Sequence, residues 1–257
     1  MRYVWLMALL AAGGTCCAIE KTSPQIIEAA YTAAEPDAAM RGAMWKRAKR
    51  HSFLPYTAGR WYREIEERHQ TARRVHDPAT VRFLWNESAL FIGIEMRDAD
   101  LVDESTADQT HIFQQADSVE LFLKSADAAD YWEIYGSAGS RKTCYHFPSR
   151  GRLGLGSNNR YRGTFTVTSL CDGTLNQWKD VDSGWTLFFK IPVEELTRHG
   201  ALWQSGTRWQ VLLIRHNFSV NLPCREVTAF PAFSAENPHV YEEWGMLVLK
   251  RKETRKP

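Results

Sequence analysis

From residue 80 onward the chain alternates between apolar and polar positions with a period of two. In "GWTLFFKIP" Trp185, Leu187, Phe189 and Ile191 alternate with Thr186, Phe188 and Lys190. In "RWQVLLIRHN" Trp209, Val211 and Leu213 alternate with Gln210 and Leu212. Successive side chains of a strand point to opposite faces, so each pattern predicts a strand with one buried face. "TVRFLW" and "ALFIGIEM", separated by "NES", read as a hairpin. "DSVELFLK", "DYWEIY", "GTFTVTSL" and "WGMLVLK" complete at least eight strands spaced by turns. The fold class predicted is all-β, an antiparallel β-sandwich of jelly-roll type with short N-terminal helical segments. "PDAAMRGAMWKRAKR" is expected as a short helix carrying Trp45 inward, and "WYREIEERHQTARR" as a helical turn or an insertion. "VEELTRHG" after Pro192 predicts one short helix in the second half, ended by Gly200.

One pair of strands raises a chemical question. Val119, Leu121 and Leu123 share one face, and Ser118, Glu120, Phe122 and Lys124 the other. On the next strand Trp132 and Ile134 oppose Tyr131, Glu133 and Tyr135. The alternation thus puts Glu120 and Glu133 among aromatics on the outer face of a sheet. Three readings stand. They are a catalytic carboxylate pair, a platform that hydrogen-bonds a sugar, or a solvated sheet face. Glycosidases use two carboxyl groups about 5–10 Å apart, and facing side chains on neighbouring strands lie about 5 Å apart.

The first residues are a processing segment. "MRYVWLMALLAAGGTCCAIE" holds one Arg, an apolar run from Tyr3 to Ala12, then small residues. The run is too short to span a bilayer and fits a secretory leader. Cleavage after Ala18 leaves one domain, residues 19–257, with no repeat or linker dividing it. The alternative is a lipid anchor at Cys16 or Cys17. Either route exports the chain to a periplasmic, cell-surface or extracellular location. Export permits disulfides. After that cleavage Cys144, Cys171 and Cys224 remain, so at most one bridge forms within the chain, and a buried free thiol is the expected state. No spacing among them is a zinc pattern.

Composition narrows the choice little further. A chain of 257 residues with 44% apolar and 24% charged residues is long enough for a real core. Its net charge of +2 points to no nucleic acid. The basic clusters, Lys46, Arg47, Lys49 and Arg50 and the tail "KRKETRKP", read as solvated surface. Aromatic residues at 12% suit strands and also platforms for flat ligands.

Motifs for nucleophilic or metal catalysis are missing: no G-x-S-x-G, H-E-x-x-H or P-loop occurs. "GRLGLG" reads as a loop. His69, His76, His111, His146 and His199 read as surface or turn residues, and His239, in an aromatic loop, is the one histidine considered for a ligand. Asp98, Asp100, Asp103, Glu104, Asp108 and Asp117 make an acid-rich segment, which is either a solvated loop or a site for structural Ca²⁺.

Taken in order, "VRFLWNESALFIGIEMRDADL", "QADSVELFL", "YWEIYGSAGS", "GWTLFFKIPVEEL", "WQVLLIRHN" and "EEWGMLVL" resemble the family 9 carbohydrate-binding modules. "PDAAMRGAMWKRA" is similar to that family's entry segment, and the resemblance spans roughly residues 30–250. It implies a β-sandwich that binds sugars or polysaccharide ends, often beside glycoside hydrolases, sometimes with structural Ca²⁺. The family's slot resembles two Trp rings around one sugar, with polar residues beneath. Ring faces pack on sugar C–H groups, and carboxylates and Arg accept or donate to hydroxyls. The resemblance implies sugar contacts at Glu120 and Glu133. Where the first slot Trp is expected this chain offers Phe113, one residue out of place. The loop meant for the second offers Phe233, His239 and Tyr241. Trp244 matches a core aromatic, and Arg141 follows the second strand within reach of a ligand. Four functions remain open on these residues. They are sugar binding without catalysis, glycoside hydrolysis through Glu120 and Glu133, haem binding through Met96, Met246 and His239, and an envelope scaffold that has lost its ligand.

Overall fold

A computed structural model describes residues 24–56, 75–154, 160–222 and 224–250. The leader with Cys16 and Cys17, the segment "WYREIEERHQTARR", part of "GRLGLG" and the tail after residue 250 lie outside the described residues. Thirteen strands are described: β1 Ile26–Tyr31, β2 His51–Ser52, β3 Leu54–Pro55, β4 Ala79–Trp85, β5 Ala89–Arg97, β6 Ser118–Ser125, β7 Tyr131–Ser137, β8 Lys142–Phe147, β9 Thr166–Asp172, β10 Gly184–Pro192, β11 Arg208–Asn217, β12 Glu226–Phe230 and β13 Gly245–Leu249. The one described α-helix, α1, is Val193–Thr197. It is the helix expected after Pro192, and Gly200 follows it at φ 91°, a left-handed conformation that glycine adopts without strain.

The strands form one path, β8-β7-β6-β11-β13-β1-β4-β5-β10-β9, with β12 beside β11, β3 beside β12 and β2 beside β4. The architecture is all-β, as the alternation predicts. The described pairings are antiparallel except at β1, which runs parallel to both its neighbours. Ile26–Ala29 pair with Met246–Leu249 of β13, and Ala30 and Tyr31 then switch to Leu84 and Trp85 of β4. Thus β1 is the seam between the two sheets. At the far edge β7 comes close to β9 and β10, because Gly136 has no side chain there. A Cβ at Gly136 would lie 2.9 Å from Val167 and 3.0 Å from Phe189.

The core between the sheets is built from the predicted faces. Val119, Leu121, Leu123, Trp132, Ile134, Trp209, Val211 and Leu213 meet Leu187, Phe189, Ile191, Ile92, Ile94 and Phe83. Burial of these side chains from water is the main stabilising term of the sandwich.

The outer faces differ from expectation. Phe122, Tyr131, Leu212 and Ile214 are covered by a second apolar layer of Tyr56, Phe147, Phe233 and Trp244. On the other sheet Trp45, Met40 and Ala48 cover Phe91 and Phe188. Trp45 is buried, but its segment forms a 3-10 turn, Trp45–Arg47, rather than a short helix. The reason is local. The Asp37 carboxylate accepts the backbone N–H groups of Arg41 and Gly42, and the Trp45 indole donates to the Asp37 carbonyl at 2.8 Å. Those bonds tie the turn to Asp37, and the chain is extended again at Ala48.

Candidate functional site

Strand register places the two glutamates. On β6 and β7, Glu120 pairs with Tyr135, and Phe122 pairs with Glu133. The carboxylates are therefore diagonal neighbours rather than a facing pair, with Tyr135 between them. Both are almost buried, with side chains 9% exposed. The solvated-face reading fails here because the second apolar layer covers this side of the sheet.

The Tyr135 hydroxyl lies 2.7 Å from Glu120 Oε1 and 2.7 Å from Glu133 Oε1. A phenol carries one proton and donates to one oxygen. The other contact therefore needs a proton on a carboxyl group. Burial pushes the Glu120 pKa up to about 7, against the hydrogen bonds from Tyr135 and Glu133 and the Arg225 charge, which lower it. Burial, then the Glu120 charge, pushes Glu133 well above the carboxylate range. Tyr135 is raised well above the usual phenol range by burial and by the two carboxyls. Both carboxyls thus hold their protons more tightly than exposed carboxylates do. This is the charge-sparing behaviour of carboxyl groups that share a dry site.

Two histidines close the cluster. His216 Nε2 lies 3.3 Å from Glu120 Oε2. His239 Nδ1 lies 2.9 Å from the Tyr131 hydroxyl, and its Nε2 is 3.7 Å from Glu133 Oε2. Burial holds His239 down to about 4 and His216 well below the usual histidine range, so both rings are neutral at pH 7. Tyr131, itself pushed up by burial, shares this hydrogen bond with Nδ1, and Nε2 faces Glu133. Arg225 supplies the positive charge. Its guanidinium donates to the Phe113 carbonyl at 3.1 Å and packs over Phe218 at 5.5 Å.

Aromatic rings surround the carboxyls. Phe113 stacks on Tyr135 at 5.9 Å and lies 5.9 Å from His216. Tyr145 meets Tyr135 and Phe147, and Phe147 meets His239 at 5.3 Å. Phe113 and Tyr145 are half-buried and form the open part of this arc.

Of the residues singled out in the sequence, Glu120, Glu133, Phe113 and His239 are thus brought together. Phe233 is buried against Tyr56 in the covering layer. Tyr241 lies further along, 6.1 Å from Tyr131, with Arg150 over its ring at 4.5 Å. Arg141 is exposed in the β7–β8 turn, where its backbone N–H donates to Ser137 Oγ. Met96 is a core residue between the sheets, on the far side of β6 and β7 from His239. Sequence reasoning missed Tyr135, His216 and Arg225. Tyr135 shares the Glu133 face of "YWEIY" by period two, and that alternation was enough to find it.

The acid-rich segment is spent on backbone. Asp117 accepts N–H groups of Val102 and Phe218, Asp100 that of Val220, and Asp103 those of Ser105 and Gly139. Asp98 pairs with the buried Arg215 at 3.1 Å. These oxygens staple the loops, and no three of these side chains converge on one point among the described residues. Cys144, Cys171 and Cys224 are free thiols; Cys144 is buried and the other two are half-buried. A groove of about 600 Å³ lies elsewhere, against β4, β5, β9 and β10, lined by Met40, Arg41, Arg50, Glu95, Arg97 and Trp185.

No protein-family model matches the sequence, and no curated protein does. Solved structures do match. One is a candidate carbohydrate-binding protein from Bacteroides uniformis ATCC 8492, with TM-score 0.62 and 12% identity over 89% of this chain and 100% of that one. Another is a family 9 carbohydrate-binding module from Caldicellulosiruptor kristjanssonii in complex with cellotriose, with TM-score 0.56 and 15% identity over 91% of this chain and 98% of that one. The chain has the fold of a family 9 carbohydrate-binding module. The same module in complex with glucose matches with TM-score 0.55 and 15% identity, over 91% of this chain and all of that one. The resemblance seen in the strand motifs therefore holds at the level of the fold.

Proposed function

We propose that this protein is an exported, non-catalytic carbohydrate-binding protein that takes a sugar or polysaccharide end at the Glu120–Glu133 cluster. One observation carries the reading. Two carboxyl groups joined through Tyr135 lie beneath an arc of aromatic rings, in a fold whose solved neighbours hold cellotriose and glucose. Rings at Phe113 and Tyr145 offer apolar faces for sugar C–H groups. Glu120, His216 and His239 offer acceptors and donors for hydroxyls. A glycosidase needs its acid and its base or nucleophile on either side of the scissile bond. Here both carboxyls converge on one phenol, which favours binding over hydrolysis. Export rests on the leader, residues 1–18.

The test is equilibrium titration of the protein with glucose and cello-oligosaccharides, with Glu120→Gln and Phe113→Ala beside it. Saturable binding that both variants weaken supports the reading. A second reading, a scaffold that has lost its ligand, is favoured by one feature: Glu120 and Glu133 are already held by Tyr135 and 9% exposed. A folded protein that ignores every sugar would favour the scaffold.

A further inference from the structure

On the opposite side of the β7–β8 hairpin, three side chains from distant segments converge. Asp130 stands just before β7, His146 lies on β8, and His199 follows α1. Their ligand atoms all lie within 4.8 Å of one another. His146 Nε2 is 3.1 Å from Asp130 Oδ2, and the His146 and His199 rings stack at 4.5 Å with planes 21° apart. Trp132, the register partner of His146, backs both rings at 5.3 and 6.3 Å. Tyr161 flanks His146 at 5.3 Å, and the Trp132 indole donates to its hydroxyl at 3.3 Å. The ring planes are thus fixed from behind by aromatic packing, while His199 is exposed.

We infer that Asp130, His146 and His199 form a binding site for a first-row divalent metal such as Zn²⁺. Two imidazoles and one carboxylate suit that class of ion rather than Ca²⁺ or Mg²⁺, which take mainly oxygen. Metal–ligand bonds of about 2.0–2.2 Å put tetrahedral ligand atoms about 3.3–3.6 Å apart; His146 and Asp130 already meet that at 3.1 Å, and the widest separation, 4.8 Å at most, has to close by up to about 1.5 Å. The exposed turn that carries His199 makes that approach, because His146 is held in the hairpin. Three protein ligands leave the fourth position of a tetrahedral ion to water or to a ligand hydroxyl. The metal would tie the β6–β7 turn, β8 and the segment after α1 together. It is separate from the sugar cluster, since strand alternation points Trp132 and His146 away from Glu133 and Tyr145.

The experiment is a titration of the untagged full protein with Zn²⁺ against a chromophoric chelator, and with Co²⁺ followed by its visible d–d absorption. His199→Ala is the main variant, chosen because His199 is exposed and its loss leaves the fold intact. Asp130→Asn is the second, and circular dichroism checks both. The expected result is one Zn²⁺ per chain, a Co²⁺ band for a site of low coordination number, and affinity at least about tenfold weaker in each variant, as loss of even a supporting group costs that much. Sugar binding by His199→Ala stays at the level of the unaltered chain. No saturable one-to-one binding, or equal affinity in the folded His199→Ala protein, would overturn the site.

Discussion

Glu120 and Glu133 occupy adjacent strands one diagonal step apart, and their carboxyl groups meet on the single hydroxyl of Tyr135, 2.7 Å from each. The cluster thus keeps more protons near neutral pH than an exposed pair of carboxylates would. This relationship makes the cluster sensitive to pH and sets the chemistry a ligand meets.

The first consequence is for stability. Glu120 holds its proton more tightly in the fold, with a pKa near 7 against an ordinary value of 4.5. The folded state therefore binds more protons than the unfolded chain between those values, and stability falls as pH rises through that window. Each pKa unit is worth about 1.4 kcal/mol, so the Glu120 contribution is roughly 3 kcal/mol across the window. Thermal unfolding from pH 4.5 to 8 is expected to show the fall in the unaltered protein, and a shallower one in Glu120→Gln. Equal slopes for the two proteins would refute the assignment.

Removing the bridge has its own effect. Tyr135→Phe leaves both carboxyls buried without their shared partner, which costs on the order of 1–3 kcal/mol. Chemical denaturation at pH 6 is the measurement, and an unchanged midpoint would show that the phenol holds nothing.

The buried ion pair is more demanding. Arg215 is fully buried, donating to Asp98 and to the carbonyls of Asp77 and Arg97. Arg215→Ala strands the Asp98 carboxylate, already pushed up to about 6 by burial. Losing one partner of a buried pair typically costs about 3–5 kcal/mol. Denaturant unfolding is expected to show a loss of that size, whereas a change under 1 kcal/mol would mean water reaches the site.

Thiol labelling reports the core. Burial pushes the Cys144 pKa well above its usual range, and only more modestly that of Cys224. In native protein Cys224 is expected to react with an aromatic disulfide reagent well before Cys144 does. Simultaneous release of both would contradict the packing of β8 against the core.

Much of this was legible in the sequence, for definite reasons. The period-two runs of β6, β7, β10 and β11 foretold which side chains fill the core, because one face of each meets the other sheet. β12 escaped notice because all five of its residues are buried, so "EVTAF" shows no alternation between buried and exposed positions. β1 was hidden by its parallel pairing, which no local turn signals. The second layer over Glu120 and Glu133 comes from segments far along the chain, Tyr56, Phe233 and Trp244, and period two says nothing of what covers a face. For the same reason His146 and His199, read singly as surface residues, gave no sign that the fold sets them beside Asp130.

The most direct test of the central claim is a glycan panel probed with the folded protein and with Glu133→Ala. The account predicts binding to a defined set of glycans that the variant loses while remaining folded. Binding that persists unchanged in Glu133→Ala, or a folded protein that binds no glycan at all, would contradict it.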